Sequence, residues 1–156
     1  MKIHIEYDYE IPDEEMEYHI KNDEIKEQIE REKKWAIQRI QRGWDDRVVW
    51  SVDCWMNDIM PDILAKLKED KQGIPMLVFD GMIPEKTDGN YSDEQCEIAK
   101  EKWNNKLEIM INGFLAAKRI SDIEFNWKNK DEEKELISEF EEGMKLFTKY
   151  YFSLWD

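Results

Sequence analysis

Apolar residues recur at helical spacing through four stretches of this chain, and that rhythm limits the fold more than any other feature of it. Ile25, Ile29, Ala36 and Ile40 mark a helix over residues 22–42, which Gly43 stops. Val48, Val49, Val52, Trp55, Met56, Ile59, Ile63, Leu64 and Leu67 form a broad apolar face over 45–70, the central helix and the best core candidate. A third helix begins at Ser92, whose hydroxyl caps while Gln95 answers as the capping-box partner. Its buried stripe is Cys96, Ala99, Trp103, Leu107, Met110, Ile111 and Phe114. A fourth starts near Asp131-Glu132-Glu133, acids where the helix dipole favours them, and buries Leu136, Phe140, Met144, Phe147, Tyr151 and Leu154.

The N-terminal segment keeps a different rhythm. Ile3, Ile5, Tyr7, Tyr9 and Ile11 alternate with charged residues and His4, the pattern of a strand with one buried face, and Pro12 ends it. Its backbone groups must pair with Met76-Leu77-Val78-Phe79 or with a second copy of the chain, so a homo-oligomer is expected. The prediction is a mainly α fold: about four helices packed as a bundle, with a short N-terminal β-strand. The length of 156 residues matches one domain, 1–156, and no repeat or composition break divides it. Within it lie an acidic strand and arm (1–21), a charged helix (22–42) and a helical core (43–156).

Charge narrows the function. Asp and Glu outnumber Lys and Arg by 37 to 23, a net of -14, so phosphate neutralisation of nucleic acid is disfavoured, as is an anionic membrane. Half of that excess lies in residues 1–24, while residues 31–42 form a local +4. No apolar run approaches the roughly 20 residues that cross a bilayer. Cys54 and Cys96 lie far apart and no signal-peptide pattern opens the chain, so a cytoplasmic protein with reduced thiols is expected.

Two constellations bear on ligands. On a continuous helix over 45–70, Asp46, Trp50, Asp53, Asn57 and Pro61 fall on one band beside the apolar stripe. Pro61 has no amide hydrogen and so denies the Asn57 carbonyl its usual partner. The band gathers carboxylates, an amide, a carbonyl and an indole, suited to holding the hydroxyls of a ligand. Its plainer reading is structural: Asp46 at a helix start, Asp53 paired with a neighbour's cation, Trp50 inside the bundle. The second constellation is Trp35, Arg39 and Arg42, spaced i, i+4, i+7 on one face, with Arg47 near it past Gly43. An indole plane with guanidinium groups suits phosphate and base recognition; its plainer reading is a solvated face that covers the acidic arm.

Other motifs fail. Asp88-Gly89-Asn90-Tyr91-Ser92-Asp93 resembles a calcium loop, yet Ala99 stands where the bidentate Glu belongs, so it reads as a turn into a capped helix. There is no Gly-rich phosphate loop, no nucleophile and base set around His4 or His19, and no complete metal-ligand spacing. No catalytic residue, metal or cofactor is therefore assigned. Gly113 and Gly143 lie inside helical patterns, which points to close helix packing.

Arg42-Gly43-Trp44 with Asp46, Trp50 and Asp53, Ile63-Leu64 after Pro61, the Trp103 to Phe114 helix, and the closing run from Glu142 to Trp155 resemble a family of small bacteriophage and prophage proteins. The resemblance covers roughly residues 40–156 and implies an origin rather than an activity. From it follows the expectation of a non-enzymatic phage accessory protein in the host cytoplasm. It would bind and sequester a small polar or nucleotide-derived ligand through Trp35, Arg39, Arg42, Asp46, Arg47, Trp50, Asp53 and Asn57, countering host defence. The alternatives are an acidic protein that binds and inhibits a host protein or mimics DNA and, last, a metal-dependent hydrolase using Asp46 and Asp53.

Overall fold

A computed structural model describes residues 23–70 and 73–155. The expected strand over 3–11 and the acidic arm lie outside the described residues. Within them the protein is mainly α and holds no strand. Its chain contacts divide at the Trp50–Ser51 bond into two compact units.

The first unit carries helix α1, Asp23–Arg42. Gly43 ends it as the periodicity requires: its φ of 81° is left-handed, and its N–H donates to the Arg39 carbonyl at 2.9 Å. After Trp44 and Asp45 the chain makes a 3-10 turn, Asp46–Trp50, and then leaves helical geometry at Ser51.

The second unit holds α2 (Val52–Asp70), α3 (Asp93–Ile120) and α4 (Lys130–Tyr150). The expected single helix over 45–70 is therefore two elements with a break at Ser51. The break explains why Val49 and Val52 are exposed rather than buried, since a stripe continues only where helical phase does. Ile63, also expected inside, is exposed on α2. Met76–Phe79, the candidate pairing partner of the strand, is a 3-10 turn whose Val78 and Phe79 are buried.

Helix α3 is the centre of this unit, with α2 and α4 both packed along it. Its first turn carries the capping box read from the sequence: Gln95 N–H donates to Ser92 Oγ at 3.2 Å and Ser92 N–H to Gln95 Oε1 at 3.0 Å. Asn129 caps α4, its Oδ1 accepting the Glu132 N–H at 3.3 Å. Trp103, Tyr150, Leu64, Leu107 and Met110 are the largest fully buried side chains, each contributing about 1.5–3 kcal/mol. Trp103 meets Tyr150 at 5.1 Å and Phe114 meets Phe147 edge-on at 5.4 Å.

Where α3 crosses α4, Gly113 and Gly143 touch backbone to backbone. A Cβ added at Gly113 would stand 2.9 Å from the Gly143 Cα, and one at Gly143 2.8 Å from the Gly113 Cα. The two glycines thus serve helix packing, and they centre the buried face of α4 on Gly143, Phe147 and Tyr150. That phase turns Tyr151, expected inside, out into solvent, while Met144 and Leu154 pack at the edge of the core.

Candidate functional site

The first unit builds its polar cluster around Asp45, which is only 4% exposed. Because α1 stops at Gly43, the chain doubles back, and Asp45 meets the last turn of the helix it has just left. Its carboxylate accepts from the Arg39 guanidinium, from Arg47 Nη2 at 2.8 Å and Nε at 3.0 Å, and from the Arg47 backbone N–H at 3.0 Å. The Arg47 guanidinium in turn lies 4.5 Å over the Trp35 ring. The hydrogen bonds from Arg47, and then from Arg39, hold the Asp45 carboxyl well below the usual carboxylate range. The same contact raises Arg47 above its ordinary value.

Asp46 forms a second, more open knot. Gln38 Nε2 donates to its Oδ2 at 2.8 Å, and the Asp46 N–H returns a bond to Gln38 Oε1 at 3.0 Å. Arg42 Nη2 reaches Oδ1 at 2.5 Å and Lys34 Nζ reaches Oδ2 at 3.2 Å. The bond from Gln38, followed by those from Arg42 and Lys34, lowers its carboxyl to about 2. Arg42 also stacks on Trp44 at 3.7 Å. Sequence reasoning found Trp35, Arg39, Arg42, Asp46 and Arg47, and the structure brings them together. It missed Asp45, Gln38, Lys34 and Trp44. The legible signal was an Asp just after a helix-stopping Gly with an Arg two residues on, the pattern of an Asx turn.

Of the rest of the expected band, Trp50 lies in the first unit and Asp53 and Asn57 in the second. Trp50 ends its 3-10 turn 76% exposed, and Asp53 is exposed in the first turn of α2, where the helix dipole favours an acid. Asn57 is buried in the second unit at 6% exposure, one turn before the buried Pro61. It lines a solvent-open depression of about 220 Å³ with Cys54 and Asp58 of α2 and with Lys118, Ser121 and Asp122 at the end of α3. Most of these groups are committed: Lys118 Nζ pairs with Asp58 at 3.0 Å, Ser121 Oγ donates to the Ala117 carbonyl at 3.0 Å, and Asp122 Oδ1 accepts the Glu124 N–H at 2.8 Å. Among the described residues, no group of three or more His, Cys, Asp or Glu is placed to hold a metal ion. No helix among them is long and apolar enough to cross a membrane.

One further surface was not singled out by the sequence. Three aromatics at the end of α4, Tyr151, Phe152 and Trp155, stand exposed, Phe152 at 91%. The Tyr151 and Phe152 rings meet edge-on at 5.4 Å, and Trp155 Nε1 donates to the Phe152 carbonyl at 3.1 Å. Comparison with protein-family models, with curated proteins and with solved structures finds no match.

Proposed function

We propose that this chain works by binding another protein rather than by catalysis, with the aromatic cluster at the end of α4 as its contact surface. The observation that carries the reading is Phe152, held 91% exposed between Tyr151 and Trp155. Clustered aromatic anchors in water are characteristic of protein interfaces and expensive to leave uncovered. Charge selects the partner: with a net of -14 the chain steers toward a basic surface that offers an apolar recess. The resemblance to phage and prophage proteins supplies the setting, an accessory factor acting on a host protein in the host cytoplasm. Sequestration of a nucleotide-derived ligand by the Trp35 cluster has less support. The guanidinium groups of Arg39, Arg42 and Arg47 already answer Asp45 and Asp46.

The test is co-purification from a bacterial host with the wild-type chain and a Phe152→Ser/Trp155→Ser variant, quantifying retained proteins and small molecules by mass spectrometry. Basic proteins should be retained by the wild type, released by salt, and depleted by on the order of tenfold or more in the variant. Equal retention by both chains, or a small molecule as the sole stoichiometric companion, contradicts the reading. Sedimentation of both chains checks the remaining occupant. A homo-oligomer that dissolves in the variant assigns the surface to a second copy of the chain and overturns the proposal.

A further inference from the structure

The depression beside Asn57 lies at the opposite end of α3 from the aromatic cluster. Tyr150 meets Trp103 in the first half of that helix, whereas Lys118 and Ser121 mark its end. The two points are separated by roughly 24 Å at 1.5 Å per residue. What the depression does is thus independent of the protein-binding reading.

Its distinctive group is the Asn57 carboxamide. The residue is 6% exposed and lines the depression, yet nothing among the described residues hydrogen-bonds its side chain. Neither polar atom of its side chain is sealed from solvent without a partner, so the amide reaches the open depression, where water or a ligand answers it. The neighbouring polar groups offer no relief, since the Asp58–Lys118 pair, the Ser121–Ala117 bond and the Asp122–Glu124 bond occupy them. Asp122 also faces Arg119 at 3.7 Å, so charge in the lining is matched and a neutral ligand is favoured over an ion. Four residues on, Pro61 contributes no amide hydrogen toward the Asn57 carbonyl, which adds acceptor capacity on the same turn.

Size bounds the ligand. About 220 Å³ falls below the roughly 300–1,000 Å³ of pockets that enclose drug-sized molecules, so the occupant has few heavy atoms or inserts only one group. Asn57 presents a donor and an acceptor side by side. Its complement is a planar group with acceptor and donor side by side, forming two reciprocal hydrogen bonds. We propose that this depression is a binding site for a small neutral carboxamide or urea-type group, recognised by the unpartnered Asn57 side chain.

Solution NMR of the full chain tests it, following the Asn57 side-chain amide during titration with acetamide and with N-acetylglutamine amide. The first supplies the carboxamide free and the second on a side chain, and the lower Kd assigns the source. Saturable shifts with a Kd of about 1 mM or weaker are expected for so few heavy atoms. Binding should slow methanethiosulfonate modification of Cys54 and leave that of Cys96 unchanged. Asn57→Leu should weaken the Cys54 protection by at least roughly tenfold, and Asn57→Asp should shift preference from acetamide to methylammonium. Absence of saturation, tighter binding of acetate or methylammonium by the wild type, or full retention of acetamide binding by Asn57→Leu overturns the proposal.

Discussion

Asp45 and Asn57 are the two buried polar side chains among the described residues, one in each unit, and their surroundings treat them oppositely. Asp45 receives hydrogen bonds from two guanidinium groups and a backbone N–H, and its carboxylate ties the end of α1 to the turn that follows. Asn57 sits in a unit ordered by shape, where Gly113 and Gly143 let two helices meet and aromatic rings fill the space alongside. There the amide answers to no neighbour. A buried polar group that is fully answered reads as structure; one that is not reads as a place kept for something else.

The contrast breaks most visibly through the shape-ordered unit. Gly113→Val places a branched side chain where even a Cβ meets backbone at 2.9 Å. It should cost about 3 kcal/mol, a Tm loss on the order of 10 °C or more by calorimetry. Retention of the wild-type Tm would mean that the helices part easily and that shape is not what orders this unit. Asp45→Ala is expected to act locally, at about 1–2 kcal/mol, because Arg39 and Arg47 remain largely hydrated once their partner is gone. Hydrogen exchange at the Arg47 and Val48 amides should speed up while exchange along α3 stays unchanged; acceleration in both would erase the distinction.

Acid sharpens the same comparison more gently. The Asp46 carboxyl titrates below its ordinary value of 3.8, at about 2, so the folded form holds its proton less tightly than the unfolded one. Its contribution is complete above the ordinary value and is lost as pH falls from about 4 through 2. Asp45 is shifted in the same direction. Exchange protection at Val48 should therefore decline over that window before protection at Gly113 does. A simultaneous decline would show that the charged knot does not order its own turn.

Much of this was legible in the chain. The Ser92 and Gln95 capping box, the stop at Gly43 and the role of Gly113 and Gly143 rest on local chemistry or strict spacing, and each is visible in a few residues. The break at Ser51 was not, since Val48, Val49 and Val52 keep a helical spacing that the backbone does not follow. Ahead of the break, Arg39 and Arg47 hold Asp45 against the end of α1, a contact that exists only once the chain has turned back on that helix. The break at Ser51 ends the continuous helix on which the band of Asp46, Trp50, Asp53 and Asn57 was read. Asn57 kept its interest for the reason its spacing to Pro61 had raised, an amide on the same turn as a carbonyl to which Pro61 brings no amide hydrogen. The depression around it needed the end of α3, which only the packed structure brings near.

The central claim is that no protein group answers the Asn57 amide, which opens onto the depression, and thermal unfolding of Asn57→Leu tests it most directly. Leu is close to Asn in volume and carries no donor or acceptor, so with no protein hydrogen bond to lose the account predicts a Tm unchanged or raised, by at most about 4 °C. A lowered Tm would mean that Asn57 is a satisfied structural residue, and would contradict the account.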